Sequence, residues 1–295
     1  MITTLRHHFH PIVVIPFFAL LLALFACKKE MPVTPAPGPA TFYPMPQGNA
    51  PYDEIIFNWY KRYGSYILYK YEERDYRYGL TGYYTYVARP IEPEMLPAAV
   101  DLLGEYWFGF YSDSFLKKYL PFKILLADRA WDEDSEDTVY NAFEVPIRGH
   151  DFLLLPKLDR SILKMTPAER NTFKIDLNMA FAYWLIFSTN GEFMKDLPVD
   201  FFNSSPYHRT DITSANKYDY GFLLSPGFQQ APTPQYDLLS YLTLIFTYRK
   251  ADIETIFFNR QTDKNGLVRK KYMLLATYFK DKYGMNIQAI GDKRN

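Results

Sequence analysis

The sequence contains a single cysteine and few histidines. Cys27 is the only cysteine among 295 residues, so no intrachain disulfide can form. Three of the five histidines lie within the first ten residues, which leaves His150 and His208 for the rest of the chain. After residue 10 there is therefore no zinc motif built from clustered cysteines or from histidines at helical spacing. Isolated histidines are commonly solvated or hydrogen-bonded, and a site formed by both of them with Asp237 remains an alternative.

The sequence also lacks an excess of charge of either sign. It has 33 basic and 33 acidic residues, and this balance argues against nucleic acid or a strongly anionic surface as the partner. There is no Gly-x-Ser-x-Gly motif, no phosphate-binding glycine loop and no pair of carboxylates in a recognisable frame. The common catalytic signatures are therefore absent.

The amino-terminal residues 1–26 have the pattern of a lipoprotein signal peptide. A basic start is followed by an apolar run over residues 12–25, which ends in the sequence Leu-Phe-Ala before Cys27. A membrane-spanning helix needs about 20 apolar residues, so an uncleaved anchoring helix is the less favoured alternative. We expect Cys27 to be lipidated and to anchor the chain to a membrane. Basic and acidic residues directly after Cys27 resemble the surface-export signal of some Gram-negative lipoproteins.

Residues 27–51 are rich in proline and poor in side chains that can form a core. This composition predicts a semi-rigid tether, with a folded domain over residues 52–295. About 270 residues after cleavage are enough for one large domain. The sequence shows no internal repeat.

The hydrophobic pattern of the domain predicts a sheet in its first half and helices in its second half. Strands are predicted at residues 65–71, 83–87, 122–127, 139–145 and 151–155. Helices are predicted at residues 53–64, 93–111, 112–119, 167–187, 236–248 and 266–283, with an irregular crossover over 190–234. The helix at 167–187 has the clearest start, because Thr166 and Glu169 form a capping box around Pro167. This order predicts an α+β fold with a small mixed or antiparallel sheet.

Several segments of the chain carry a resemblance to a known family. They are the tyrosine-rich residues 63–71, the Phe-Leu-Lys-Lys-Tyr sequence at 115–119, the predicted central helix, the Gly-Phe pair at 221–222 with Ser225, and residues 266–290. Together they resemble the substrate import-associated zinc metallohydrolase lipoproteins of Gram-negative cell envelopes. The resemblance implies a zincin-like fold and partners in a TonB-dependent outer-membrane import system.

The central helix of that family carries His-Glu-x-x-His. Histidines four residues apart share one helix face and bind one zinc ion, while the glutamate activates zinc-bound water. In this chain Met179 and Tyr183 occupy the two histidine positions, and Ala180 occupies the glutamate position. A thioether and a phenol are poor zinc ligands, and alanine cannot transfer protons. We therefore expect Met179 and Tyr183 to pack rather than to bind metal.

The family's second acidic motif resembles Glu-Asp-Phe-Ala-Glu and falls on residues 236–240. Asp237 retains its carboxylate, whereas Tyr236 and Ser240 replace the flanking acids. One carboxylate does not hold zinc by itself. We expect no cofactor in this chain, although zinc is the family's metal.

Two further features of the sequence are candidate binding sites. The acidic run at residues 132–137 could bind calcium, but it lacks the spacing and glycine of an EF-hand and is typical of a solvated loop. Eight tyrosines crowd residues 66–86, where aromatic side chains favour strands. Tyr83 and Tyr84 are the candidates there for binding a glycan or a peptide.

These observations favour an outer-membrane lipoprotein that faces the periplasm or the cell surface. The first hypothesis is a catalytically inactive relative of the metallohydrolases that acts as a binding or assembly component beside an import system. An active zinc-dependent hydrolase with a non-standard site is the first alternative. A glycan-binding lipoprotein that uses Tyr83 and Tyr84 is the second.

Overall fold

The computed structural model describes residues 42–77, 86–132, 148–224 and 232–294. Four strands lie in the first half of this part of the chain: β1 Tyr66–Leu68, β2 Tyr86–Pro90, β3 Lys123–Asp132 and β4 Phe152–Leu155. The helices of the same half are α1 Pro51–Tyr63, α2 Arg74–Arg77, α3 Leu96–Tyr106 and α4 Asp113–Tyr119. The second half contains α5 Pro167–Phe187, α6 Glu192–Asp196, α7 Val199–Asn203, α8 Pro234–Thr247, α9 Lys250–Ile256, α10 Leu267–Tyr283 and α11 Ala289–Asp292. The predicted α+β fold, with its small mixed sheet before a helical half, is confirmed.

Strand β3 is the centre of the sheet. Its first residues pair in parallel with β1 on one side and with β4 on the other, and its second part pairs antiparallel with β2. Ile124 and Leu126 face the main core, whereas Leu125 and Ala127 face a second cluster on the other side. This alternation shows why residues 124–127 of the strand are all apolar, since both faces of the sheet are covered there.

The residues just before the predicted domain start are held on the sheet. The side chain of Gln47 accepts hydrogen bonds from the backbone N–H groups of Tyr69 and Lys70, and it donates to the carbonyl of Ile67 at 2.8 Å. Tyr43 donates to Asp75 at 2.8 Å. The free edge of β1 is thereby covered, which protects it from pairing with another strand.

Local signals set the bounds of the long helix α5. Its observed range equals the predicted one, and Thr166 and Glu169 form the predicted reciprocal capping bonds.

The predicted helix at 93–111 is wrong as one continuous element. The chain forms a 3-10 turn at Pro93–Met95, then α3, then a second 3-10 turn at Phe108–Phe110. At that second turn a side chain on Gly109 would lie 2.9 Å from the carbonyl of Gly104, so the tight break requires glycine.

Other predicted elements differ from the structure in extent. The crossover at 190–234 is not wholly irregular, because α6, α7 and a 3-10 turn at Lys217–Tyr220 lie within it. Strand β3 runs five residues past the predicted end and includes Asp132, the first residue of the acidic run predicted as a loop. Pairing with β2 extends it. The predicted strand at 139–145, the acidic residues 133–137 and the predicted signal peptide lie outside the described residues.

In the described part of the chain, no helix combines the length and apolar character needed to cross a bilayer. The residues from Tyr43 onward form one compact unit.

Candidate functional site

Helices α5 and α8 bring most of the predicted site positions together. Met179 lies opposite Thr243, whose hydroxyl donates to its sulfur at 3.4 Å. Ala180 is 1% exposed and belongs to the main core. The ring of Tyr183 stacks on Phe187 at a centroid distance of 5.6 Å. Side-chain packing therefore accounts for Met179, Ala180 and Tyr183.

An aromatic row continues from α5 onto α8. The ring of Phe187 lies 5.5 Å from that of Tyr236, which is 52% exposed. The guanidinium of Arg148 lies over Tyr183 and Phe187 at 5.7 and 5.4 Å. Burial raises the pKa of Tyr183. The nearby phenol of Tyr236 adds to this rise, while the charge of Arg148 opposes it. A phenol whose pKa is raised stays protonated at neutral pH, which makes it a poor metal ligand.

Asp237, on the same helix as Tyr236, has a different environment. Its side chain is fully buried and forms a salt bridge with the ammonium of Lys271 on α10. The phenol of Tyr207 donates to the same carboxylate oxygen at 2.5 Å. The second oxygen, Oδ1, has no hydrogen-bond partner among the described residues. The carboxylate of Asp237 is thus already neutralised by a cation of this chain.

Lys271 is held from several sides. Its ammonium donates to the hydroxyl of Ser205 at 2.9 Å and to the carbonyl of Gly221 at 3.1 Å. Aromatic rings surround the same nitrogen at centroid distances of 4.5 to 5.9 Å, and they belong to Phe201, Tyr207, Phe222 and Tyr241. Ring faces attract cations, and the effect is largest where water is excluded. The ammonium form of Lys271 is therefore stabilised by both charge and aromatic contacts.

Gly221 allows the chain to approach this cluster closely. Its φ of +73° is a left-handed conformation, and a side chain there would lie 3.2 Å from the hydroxyl of Ser205 and 3.3 Å from Cδ of Lys271. Only glycine combines that φ with that space at low cost. The Gly-Phe pair noted in the sequence thus forms one wall of the Lys271 cluster.

Burial and pairing act in opposite directions on the two charges. Burial lowers the pKa of Lys271, and Asp237 opposes the shift. Burial raises the pKa of Asp237, and the contacts with Lys271 and Tyr207 oppose it. Because each charge stabilises the other, removal of one partner would leave an uncompensated charge in the interior.

The contact between Ser205 and Lys271 has the distance of a serine–lysine catalytic dyad. Such a dyad needs a neutral amine that can accept the proton of the serine. Here the carboxylate and the four rings favour the ammonium form, and the hydroxyl of Ser205 donates to the carbonyl of Tyr220 at 2.9 Å. The arrangement therefore fits a structural cluster better than a nucleophile with its base.

A surface groove of about 610 Å³ lies next to this cluster, lined by residues 202–208 and Pro234. Ser205 and Tyr207 belong both to the groove and to the buried cluster. His208 is exposed at its rim. The groove and the charge pair are therefore connected through Tyr207. Burial and the neighbouring Asp237 raise the pKa of Tyr207 well above its usual value.

The remaining predicted positions do not join a common centre. The hydroxyl of Ser240 donates to the backbone carbonyl of Asp237 at 2.7 Å, and His150 is exposed before β4. Within residues 42–77, 86–132, 148–224 and 232–294, no three His, Cys, Asp or Glu side chains lie close enough to hold one metal ion. Cys27, Tyr83 and Tyr84 lie outside these ranges. Of the other crowded tyrosines, Tyr66, Tyr69 and Tyr76 are buried.

Sequence reasoning missed Lys271, Tyr207 and Ser205. Lys271 could have been found, because Val268, Lys271 and Leu275 follow the spacing of one buried helix face. A lysine at a core position requires an acid or an acceptor nearby. For Tyr207 and Ser205 no such signal exists, since they lie in a turn after α7.

Comparison with known proteins adds no family to these observations. No protein-family model matches the chain, and neither curated proteins nor solved structures give a match.

Proposed function

We propose that the chain is a membrane-anchored envelope lipoprotein that has a metallopeptidase-like helical scaffold without its metal site. It acts as a binding or assembly component beside an outer-membrane import system. Cys27 would supply the lipid anchor. The proposed partners are the membrane and the outer-membrane import proteins.

One observation carries the proposal: the only acid retained from the family's ligand positions is bound within the chain. The carboxylate of Asp237 accepts from Lys271 and Tyr207 and is sealed from solvent. A zinc ion there would have to displace a buried ammonium. The packing of Met179 against Thr243 and of Tyr183 against Phe187 supports the same conclusion.

Metal analysis tests the proposal directly. We expect the purified full chain to contain far less than one zinc per molecule after dialysis against buffered zinc, because no set of donors converges at the helix pair. Zinc at about one equivalent that is lost with a chelator, together with a hydrolytic activity that the chelator abolishes, would refute the proposal in favour of the hydrolase alternative.

A constructive experiment tests the resemblance. The triple variant Met179→His, Ala180→Glu and Tyr183→His restores the family motif on α5. Because Ala180 is buried, we would compare it with Met179→His, Tyr183→His and Tyr236→Glu, which places the new acid at a half-exposed position. Either variant should bind zinc at least about tenfold more tightly than the wild type, because two histidines four residues apart grip one ion.

The matched control is Met273→His with Thr277→His, an exposed pair with the same spacing on α10. This control measures how much zinc affinity any two exposed histidines one helical turn apart provide. If a folded motif variant binds zinc no better than this control, α5 and α8 do not have the geometry of a metal site and the resemblance fails.

A further inference from the structure

The groove beside the buried charge pair has the lining of a site for an uncharged polar ligand. Its rim and walls include Phe202, Asn203, Tyr207, His208 and Pro234. Among the described residues that line it, none carries a carboxylate, ammonium or guanidinium group. A charged ligand would find no counter-charge there, whereas a neutral ligand with many hydroxyl groups would lose little on leaving water.

Donors and acceptors are available at the rim. The side chains of Asn203 and His208 are exposed and form no hydrogen bond with another residue in the described ranges. Each offers a donor and an acceptor. Neighbouring hydroxyl groups of a sugar ring need this combination, because every hydroxyl both donates and accepts.

Tyr207 is held rigidly within the groove. Its hydroxyl is tied to Asp237, and its ring packs edge-on against Phe222 at a centroid distance of 5.5 Å. A ring fixed in this way loses little conformational entropy when a ligand packs on it. The buried pair of Asp237 and Lys271 thus positions an aromatic surface for the groove.

From these observations we propose that the groove at residues 202–208 and Pro234 binds a neutral saccharide, with Tyr207 as its stacking surface. The inference rests on the proposed role as a binding component and gives that component a ligand class. It places the glycan site at Tyr207, whereas the sequence pointed to Tyr83 and Tyr84. A peptide is less favoured because the groove follows a short helix and a turn, and the described residues around it offer no strand edge for backbone pairing.

The test is affinity electrophoresis of the full chain in detergent, through gels that contain soluble starch, dextran, xylan or mannan. We expect retardation on at least one of these neutral polysaccharides. The variant Tyr207→Ala should weaken the apparent affinity at least about tenfold, because it removes the ring surface. Tyr207→Phe keeps the ring and loses the tie to Asp237, so it should retain more affinity than Tyr207→Ala.

Tyr248→Ala is the matched control. Tyr248 is 36% exposed and follows the far end of α8, whereas the groove lies at the start of that helix. This control should bind as the wild type does. In case Tyr207→Ala unfolds, the double variant Asn203→Ala and His208→Ala removes only exposed rim groups and should also lower the affinity several-fold.

Absence of retardation on all four polysaccharides would overturn the saccharide proposal. So would retardation that is unchanged in folded groove variants, or that is lost only on changing Tyr83 and Tyr84 to alanine. Binding of an uncharged proline- and serine-rich decapeptide through Tyr207, without polysaccharide binding, would reassign the groove to peptides. None of these outcomes alters the zinc result, so failure of this proposal can be told apart from failure of the proposed function.

Discussion

Two carboxylates in the helical half, Asp196 and Asp237, are both surrounded by tyrosine and lysine donors, yet their environments differ. Asp237 is sealed in the interior with one ammonium and one phenol, and its Oδ1 has no partner among the described residues. The side chain of Asp196 is 20% exposed and accepts five hydrogen bonds. The donors are Lys118, Tyr119, Tyr278, Lys282 and Tyr283.

The two carboxylates consequently shift in opposite directions. At Asp237 burial is the largest effect and raises the pKa above its usual value. At Asp196 burial also acts to raise the pKa, but the hydrogen bonds from Lys282, Tyr119, Lys118 and Tyr283 outweigh it and bring the pKa far below its usual range. The comparison teaches that the number of donors and the remaining contact with water decide the direction, rather than the presence of a lysine.

The largest expected effect comes from breaking the buried pair. Lys271→Met should lower the free energy of unfolding by about 3–5 kcal/mol, because it leaves Asp237 as an unpaired charge in the interior. Equilibrium urea unfolding at pH 7 measures the change. The double variant Lys271→Met and Asp237→Leu should recover most of the loss, since neither charge then remains buried.

Lys282→Met is the control at the other carboxylate. The side chain of Lys282 is 42% exposed, and Asp196 keeps four donors without it. We expect a loss of only about 0.5–1 kcal/mol, as for other exposed ion pairs. Equal losses from Lys271→Met and Lys282→Met would contradict the distinction between the sealed and the open cluster.

The same contrast explains what the sequence could and could not predict. The ends of α5 follow from Thr166, Pro167 and Glu169, which lie within one helical turn, so local chemistry is sufficient. The partners of Asp237 lie 30 and 34 residues away, and no local pattern pairs them. The sequence shows a carboxylate at 237, but its neutralisation by Lys271 depends on a tertiary contact between α8 and α10.

Strand β3 illustrates a further limit. The predicted strand ends at residue 127, because the charged residue Asp128 follows. Pairing with β2 brings Val87 opposite Trp131 and Ala88 opposite Ala130, and this extends the strand. Tertiary pairing outweighs intrinsic strand propensity in such cases.

A smaller effect, specific to acid, is expected at Asp196. The pKa of Asp196 is lower in the folded chain than in the unfolded one. Its contribution to the free energy of unfolding is therefore fully present above about pH 3.9 and is lost as pH falls further. Between pH 5 and pH 2.5 the free energy of unfolding of the wild type should therefore fall by about 1.5 kcal/mol more than that of Asp196→Asn, after discounting for solvent. Urea unfolding at both pH values measures the difference.

Asp200→Asn serves as the acid control, because Asp200 is exposed on the neighbouring helix α7. Its acid dependence should follow that of the wild type. If Asp196→Asn also follows the wild type, the five donors do not act through the carboxylate charge.

Lys174 extends the comparison to a buried charge that has no carboxylate partner among its hydrogen bonds. It lies on α5, is fully buried, and donates to the backbone carbonyl of Lys293 at 2.6 Å. Burial lowers its pKa to about 8, and the neighbouring charges of Arg294 and Lys293 add to the shift. A carbonyl dipole compensates an ammonium less well than the carboxylate that Lys271 has.

The smallest effect is therefore expected at Lys174. As at Asp196, the free energy of unfolding should rise with pH, because the pKa of either group is lower in the folded chain than in the unfolded one. The folded pKa lies below the usual 10.5, so between about pH 8 and 10.5 the unfolded chain binds more protons and folded stability rises with pH. From pH 7 to pH 9.5 the free energy of unfolding of the wild type should rise by about 1 kcal/mol more than that of Lys174→Met, as measured by urea unfolding. Lys280→Met, which removes an exposed lysine of α10, should leave the wild-type dependence unchanged. A parallel course of the wild-type and Lys174→Met curves would mean that solvent reaches the ammonium of Lys174, so that of these two lysines Lys271 is the one sealed from water.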